Sequence, residues 1–95
     1  MNVKILQVGD KVKWSSQAQG SVKEKAGMVI AIVPGGQRAS KYLPDGIEMK
    51  NKTYVKFDTE IAKHVRYIVE VPRGGKSVKF DYYCPRVESL RMNVD

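Results

Sequence analysis

The sequence predicts an all-β fold, a small curled sheet or barrel of about five antiparallel strands. Three observations predict it. The apolar residues fall in short runs that alternate with polar ones or are rich in β-branched side chains. Glycine and proline close most of these runs, at Gly9, Pro34-Gly35-Gly36, Pro72, Gly74-Gly75 and Pro85. Little of the chain reads as helix, with one short stretch the exception. Curling such a chain into a sheet or barrel removes its exposed strand edges.

The elements follow in order. Gly9-Asp10 is a turn, and Lys11 to Trp14 alternates as a short strand burying Val12 and Trp14. Ser15 to Lys23 is polar and reads as a loop. Gly27 to Val33 is the most apolar run, and its length and β-branched content make it a strand rather than a helix. Residues 34–52 hold Pro34, Pro44 and three glycines, and predict a long, mobile insertion. Thr53 to Phe57 alternates as a strand with Val55 and Phe57 inward. Asp58 or Thr59 is placed to cap one or two helical turns through His64, with Ile61 and Val65 at i, i+4 spacing. Arg66 to Val71 is a strand, and Pro72 to Lys76 a hairpin loop whose two glycines supply the positive φ of a tight turn. Ser77 to Tyr83 returns antiparallel, burying Val78, Phe80 and Tyr82. Val87 and Leu90 form a closing apolar clip. The expected core is Trp14, Ile30, Val55, Val69, Phe80 and Leu90.

Ninety-five residues, 42% hydrophobic and 28% charged, make one globular domain over 1–95, with 34–52 as its insertion. That size excludes a large multi-layer enzyme, and no apolar run approaches the roughly 20 residues of a spanning helix. The opening Met1 to Val8 lacks a long apolar stretch and a small-residue cleavage site, so it reads as part of the protein rather than a signal peptide. A single cysteine, Cys84, cannot form an internal disulfide and fits a reducing, cytoplasmic setting. The net charge of +7 favours acidic partners, nucleic acid first among them, although such a charge also serves solubility.

Gly9-Asp10-Lys11-Val12-Lys13-Trp14, a polar loop, then Gly27-Met28-Val29-Ile30 resembles the opening of SH3-like small barrels of the Tudor or KOW type. The tail, Tyr67-Ile68-Val69-Glu70-Val71, a hairpin, then Tyr83-Cys84-Pro85-Arg86-Val87-Glu88-Ser89-Leu90, is similar to theirs as well. The same ending resembles small bacteriophage or prophage proteins with a Y-x-V-x-V strand and a Y-x-P-R-V-x-x-L close. The likeness covers residues 8–33 and 66–91. It implies a five-stranded SH3-like barrel and a module that binds RNA, DNA, peptides or methylated lysines. No aromatic cluster sits on Ser15 to Lys23, where part of a methyl-lysine cage would lie.

Enzymatic chemistry finds little to stand on. His64 and Cys84 are each the sole residue of their type, too few for a transition-metal site, and their spacing does not make a nucleophile pair. Gly75-Lys76-Ser77 mimics the end of a phosphate-binding loop, but Glu70 stands where that motif needs glycine, and a strand follows rather than a helix. The basic excess lies in segments 11–25, 50–66 and 73–91, each at +3, whereas 26–49 is neutral. Tyr54, Lys56, Arg66, Lys79, Tyr83 and Arg86 fall opposite the inward set or just beyond it, where cations neutralise phosphates and tyrosines stack on bases. The same lysines would also blunt strand edges against aggregation. The expectation is a non-enzymatic module without metal, cofactor, membrane or small-molecule substrate, its partner nucleic acid. The alternative is a protein-interaction or assembly module using the 34–52 loop.

Overall fold

A computed structural model of the protein describes residues 6–18 and 21–93. The reading of Met1 to Ile5, and the Gln19-Gly20 part of the expected loop, lie outside them.

Five antiparallel strands form one sheet: β1 (Lys11–Ala18), β2 (Ser21–Val33), β3 (Arg66–Pro72), β4 (Phe80–Tyr83) and β5 (Arg91–Met92), in the order β4-β3-β2-β1-β5. The all-β class is therefore as expected. The closed barrel is not, because the sheet stays open. Both ends of the order are short strands, and segment 54–56 lies along β4. There Val55 bridges Tyr82 in parallel, the Tyr82 amide donates to the Tyr54 carbonyl (2.8 Å), and the Lys56 amide donates to the Tyr82 carbonyl (2.9 Å).

The polar stretch 15–23 is strand where described, not loop. Ser15 to Ala18 pairs residue by residue with Ser21 to Glu24, while β5 reaches only Val12 and Lys13, and β3 begins only at Met28. The outer part of β1–β2 is thus a two-stranded ribbon, with no further strand beside it among the described residues. Such a ribbon needs no apolar alternation, which is the signal that sequence reading depends on.

Two cores result, one on each face. Alternation along β3 sends Tyr67 and Val69 to one side, where they join Leu6, Val12, Trp14, Val29 and Leu90. Ile68 points to the other side and joins Val33, Ala39 and Tyr82. β3 is therefore buried on both faces from Arg66 through Val69. Residues 34–65 cover the second face: Tyr42, Leu43, Ile47, Tyr54 and Phe57 pack onto that core, and a 3₁₀ turn at Ala39–Tyr42 seats the fully buried Ala39. The insertion expected to be a mobile loop, 34–52, contributes Ala39, Tyr42, Leu43 and Ile47 to that core.

The expected helical turns at 58–64 are absent. That segment runs extended against 36–40: Ile61 bridges Arg38, and the Ala39 amide donates to the Glu60 carbonyl (2.8 Å). The Thr59 and Glu60 carbonyls, which a helix would use internally, accept from the Arg66 guanidinium instead, at 2.8 and 2.9 Å. Gly35 permits this closure, since a Cβ there would strike the Lys63 carbonyl. The strand expected at 53–57 reduces to the single bridge at Val55, which is buried, with Phe57 partly so.

The β3–β4 hairpin turns at Gly74 and Gly75 as expected, both with positive φ. Its return strand starts late, at Phe80, opposite Pro72, which has no N–H to extend the ladder. Val78 is 86% exposed and Phe80 36%, so two of the three inward residues assigned to this segment face solvent. Of the expected core, Trp14, Val55, Val69 and Leu90 are buried. Ile30 sits on a β-bulge between Val29 and Ala31 and is only partly covered.

Candidate functional site

The six residues singled out by sequence do not share one face. Tyr54 and Lys79 come together beside β4, with Lys56 two residues along the chain from Tyr54. Tyr54 closes a turn and packs partly onto the second core, whereas Lys56, beyond the buried Val55, is exposed. Lys79 precedes β4, and its Nζ donates to the Tyr54 hydroxyl at 2.8 Å. That ammonium lies 5.2 Å from the ring centroid. The two distances together place it beside the hydroxyl, not above the ring centre. The bond lowers the Tyr54 pKa, because a donated charge-assisted hydrogen bond favours the phenolate.

Arg73, which was not among the six, completes the group. Its guanidinium stacks over the Tyr54 ring at 4.7 Å, binds Asp81 at 2.8 Å and donates to the Thr53 carbonyl at 2.5 Å. Across the hairpin the Arg73 amide donates to the Lys79 carbonyl (3.3 Å), so the Gly74-Gly75 turn brings both cations to one tyrosine. That pairing was available from the hairpin itself, since residues flanking a tight turn face each other. Asp81 neutralises Arg73, whereas Lys56, Lys76 and Lys79 have no carboxylate partner among the described residues. Beside Tyr54 lies a cavity of about 340 Å³ bordered by Ile47, Asn51, Val78 and Phe80.

The other three residues lie elsewhere. Tyr83 is half-buried on the opposite face, edge-on to Trp14 at 5.5 Å and 66°, with the Lys25 ammonium 5.0 Å from its centroid. Arg66, expected to point outward, is 4% exposed and holds the Thr59 and Glu60 carbonyls. Its burial was hidden from sequence because β3 is covered on both sides, so no strand position there is outward. Arg86 is exposed, bridges Arg66 through the backbone and pairs loosely with Glu88 at 3.8 Å.

His64 and Cys84 border one cavity, yet no hydrogen bond joins them. Burial pushes the Cys84 thiol up to about 11, against a smaller opposing pull from Arg66. Among the described residues no cluster of His, Cys, Asp or Glu has the makings of a metal site, and no helix is long and apolar enough to cross a membrane. Neither protein-family models, curated proteins nor solved structures provide a match to this chain.

Proposed function

We propose that the protein is a non-enzymatic binding module for nucleic acid, with single strands bound at the Tyr54 edge. The observation that carries this reading is the grouping of Tyr54 with Arg73 and Lys79, next to Lys56, on a chain of net charge +7. Lysines without carboxylate partners neutralise phosphates and release counterions, and a tyrosine beside an apolar cavity offers a base a stacking surface. The high Cys84 pKa disfavours a thiolate nucleophile and so supports a non-catalytic role. The likeness to Tudor or KOW modules, the phage or prophage likeness and a cytoplasmic setting belong to the same proposal. They rest on the two chain ends and the single thiol.

The test is titration of labelled single- and double-stranded DNA and RNA. Affinity should fall steeply with salt. Lys56→Glu with Lys79→Glu should weaken binding to all sequences alike, because phosphate contacts carry no base information. Tyr54→Ala should cost about 1–3 kcal/mol on single strands and less on duplexes. Absence of binding to all four at low ionic strength would falsify the reading.

A second reading, a protein-interaction or assembly module, is favoured by a different feature. Where residues 34–65 stop covering the second face, Met28, Pro72 and Phe80 line an apolar groove of about 390 Å³ with Lys11 and Glu70 at its border. Its contact surface would be this groove rather than the packed 34–52 segment.

A further inference from the structure

A second cavity, of about 200 Å³, lies where residues 57–66 meet the end of β4, bordered by Phe57, Thr59, His64, Arg66, Cys84 and Arg86. Arg66 is the unusual member. Its terminal nitrogens are held by two main-chain carbonyls, its Nε is buried with no hydrogen-bond partner, and no carboxylate lies within ion-pair distance of it among the described residues. A buried charge in that condition costs several kcal/mol unless a counter-charge meets it. The chain does not supply one. Glu60, whose carbonyl holds Arg66, turns its carboxylate to the Ser40 amide and hydroxyl, both at 3.0 Å, and to Arg38 at 3.8 Å. Cys84 stays a neutral thiol at neutral pH.

The rest of the lining adds no negative charge. Arg86 and His64 border the cavity, Thr59 brings a hydroxyl, and no acidic residue borders it. Its volume is below the roughly 300–1,000 Å³ of sites for drug-sized ligands. A guanidinium fork matches the geometry of a tetrahedral oxyanion, and Arg86 is exposed and held only loosely by Glu88 at 3.8 Å, so it is able to turn to one. We infer that this cavity is a phosphate-binding site, in which Arg66 supplies buried positive charge and Arg86, His64 and Thr59 complete the anion's contacts. The ligand chemistry is a compact phosphate group, either free or at the end of a polynucleotide. The site does not depend on Tyr54 and stands or falls separately from the nucleic-acid reading.

The experiment follows backbone amide shifts and melting temperature while inorganic phosphate is added to the whole protein at constant ionic strength, with chloride as control. The expected result is a saturable shift confined to residues 57–66 and 84–86, with a rise in melting temperature that chloride does not produce. Arg86→Gln, at an exposed position, should keep the fold and weaken phosphate binding about tenfold or more. Arg66→Gln risks the fold itself, so Arg86→Gln is the deciding variant. A 5′-phosphorylated oligonucleotide that reproduces the shifts, where its 5′-hydroxyl counterpart does not, assigns the site to nucleic-acid ends. Shifts from inorganic phosphate alone assign it to the free ion. Shifts that are unsaturable, spread over the surface, matched by chloride or unchanged by Arg86→Gln overturn the inference.

Discussion

At the residue scale, the two ends of β4 separate a covered from an uncovered apolar position on one face. Phe80 and Tyr82 share a face by alternation, yet only Tyr82 lies under the 34–65 connection. Phe80→Ala should therefore cost only about 1 kcal/mol, whereas Ile68→Ala, which opens a cavity in a fully buried site, should cost about 2–5 kcal/mol. Denaturant midpoints of the two variants check this, and equal losses would contradict the placement of Phe80. Cys84 makes a pH prediction. Its thiol pKa is raised from 9.0 to about 11 by burial, so between those values the unfolded chain has lost a proton that the folded one keeps. Stability then falls as pH rises through that window, by about 2–3 kcal/mol in total, and nothing is lost below it. Cys84→Ala should lack this contribution. The stability difference between wild type and variant, measured at about pH 8 and again at about pH 10.5, should shift in favour of the variant. A constant difference would mean that the thiol titrates as if exposed.

At the scale of elements, the connection 34–65 behaves as a cover for the sheet. The amides of Gly36, Ala39 and Lys56 donate to the Ala62, Glu60 and Tyr82 carbonyls respectively. Their hydrogen exchange should be slow, close to that of the β2–β3 ladder, with fast exchange confined to exposed positions such as Gly46. Fast exchange throughout 34–65 would mean that the cover opens on its own. This element was the least legible from sequence, for a physical reason. Ala39, Tyr42, Leu43 and Ile47 reach the core at the i, i+3, i+4, i+8 spacing of a helix, yet the backbone holds only one 3₁₀ turn before Pro44, so periodicity misreads the segment. β2, β3 and the Gly74-Gly75 turn were legible because β-branched runs and positive-φ glycines are local signals. Of the site, the Tyr54–Lys79 pair was found. The buried state of Arg66 and the place of Arg73 were not, because both depend on which segment packs over which face.

At the scale of the molecule, the proposed binding surface is a matter of where charge goes unmatched. Arg38, Lys50, Lys52, Arg73, Arg86 and Arg91 each have an acidic partner within 4.0 Å. The hairpin and its neighbouring segment keep Lys56, Lys76 and Lys79 without one, and Lys11, Lys13, Lys41 and Lys63 lack one elsewhere among the described residues. Unmatched charge by itself serves solubility; what the Tyr54 edge adds is a ring with Arg73 stacked on it and Lys79 at its hydroxyl. The steep salt dependence expected of binding is the whole-molecule expression of those lysines.

The route from Val33 to Arg66 also bears on how the chain reaches its fold. These residues pair directly, so β2 and β3 meet only after residues 34–65 have been drawn into a closed ring. Closing a ring of that length costs about 3 kcal/mol of chain entropy before any contact repays it. The ring is also the cover of the second core, so its closure and the burial of Ile68 are one event rather than two. β1 and β2 pair between neighbouring stretches of chain and escape that cost. The slow step of folding is therefore expected at the ring, on the millisecond-to-second scale of folds dominated by distant pairings, which stopped-flow refolding checks.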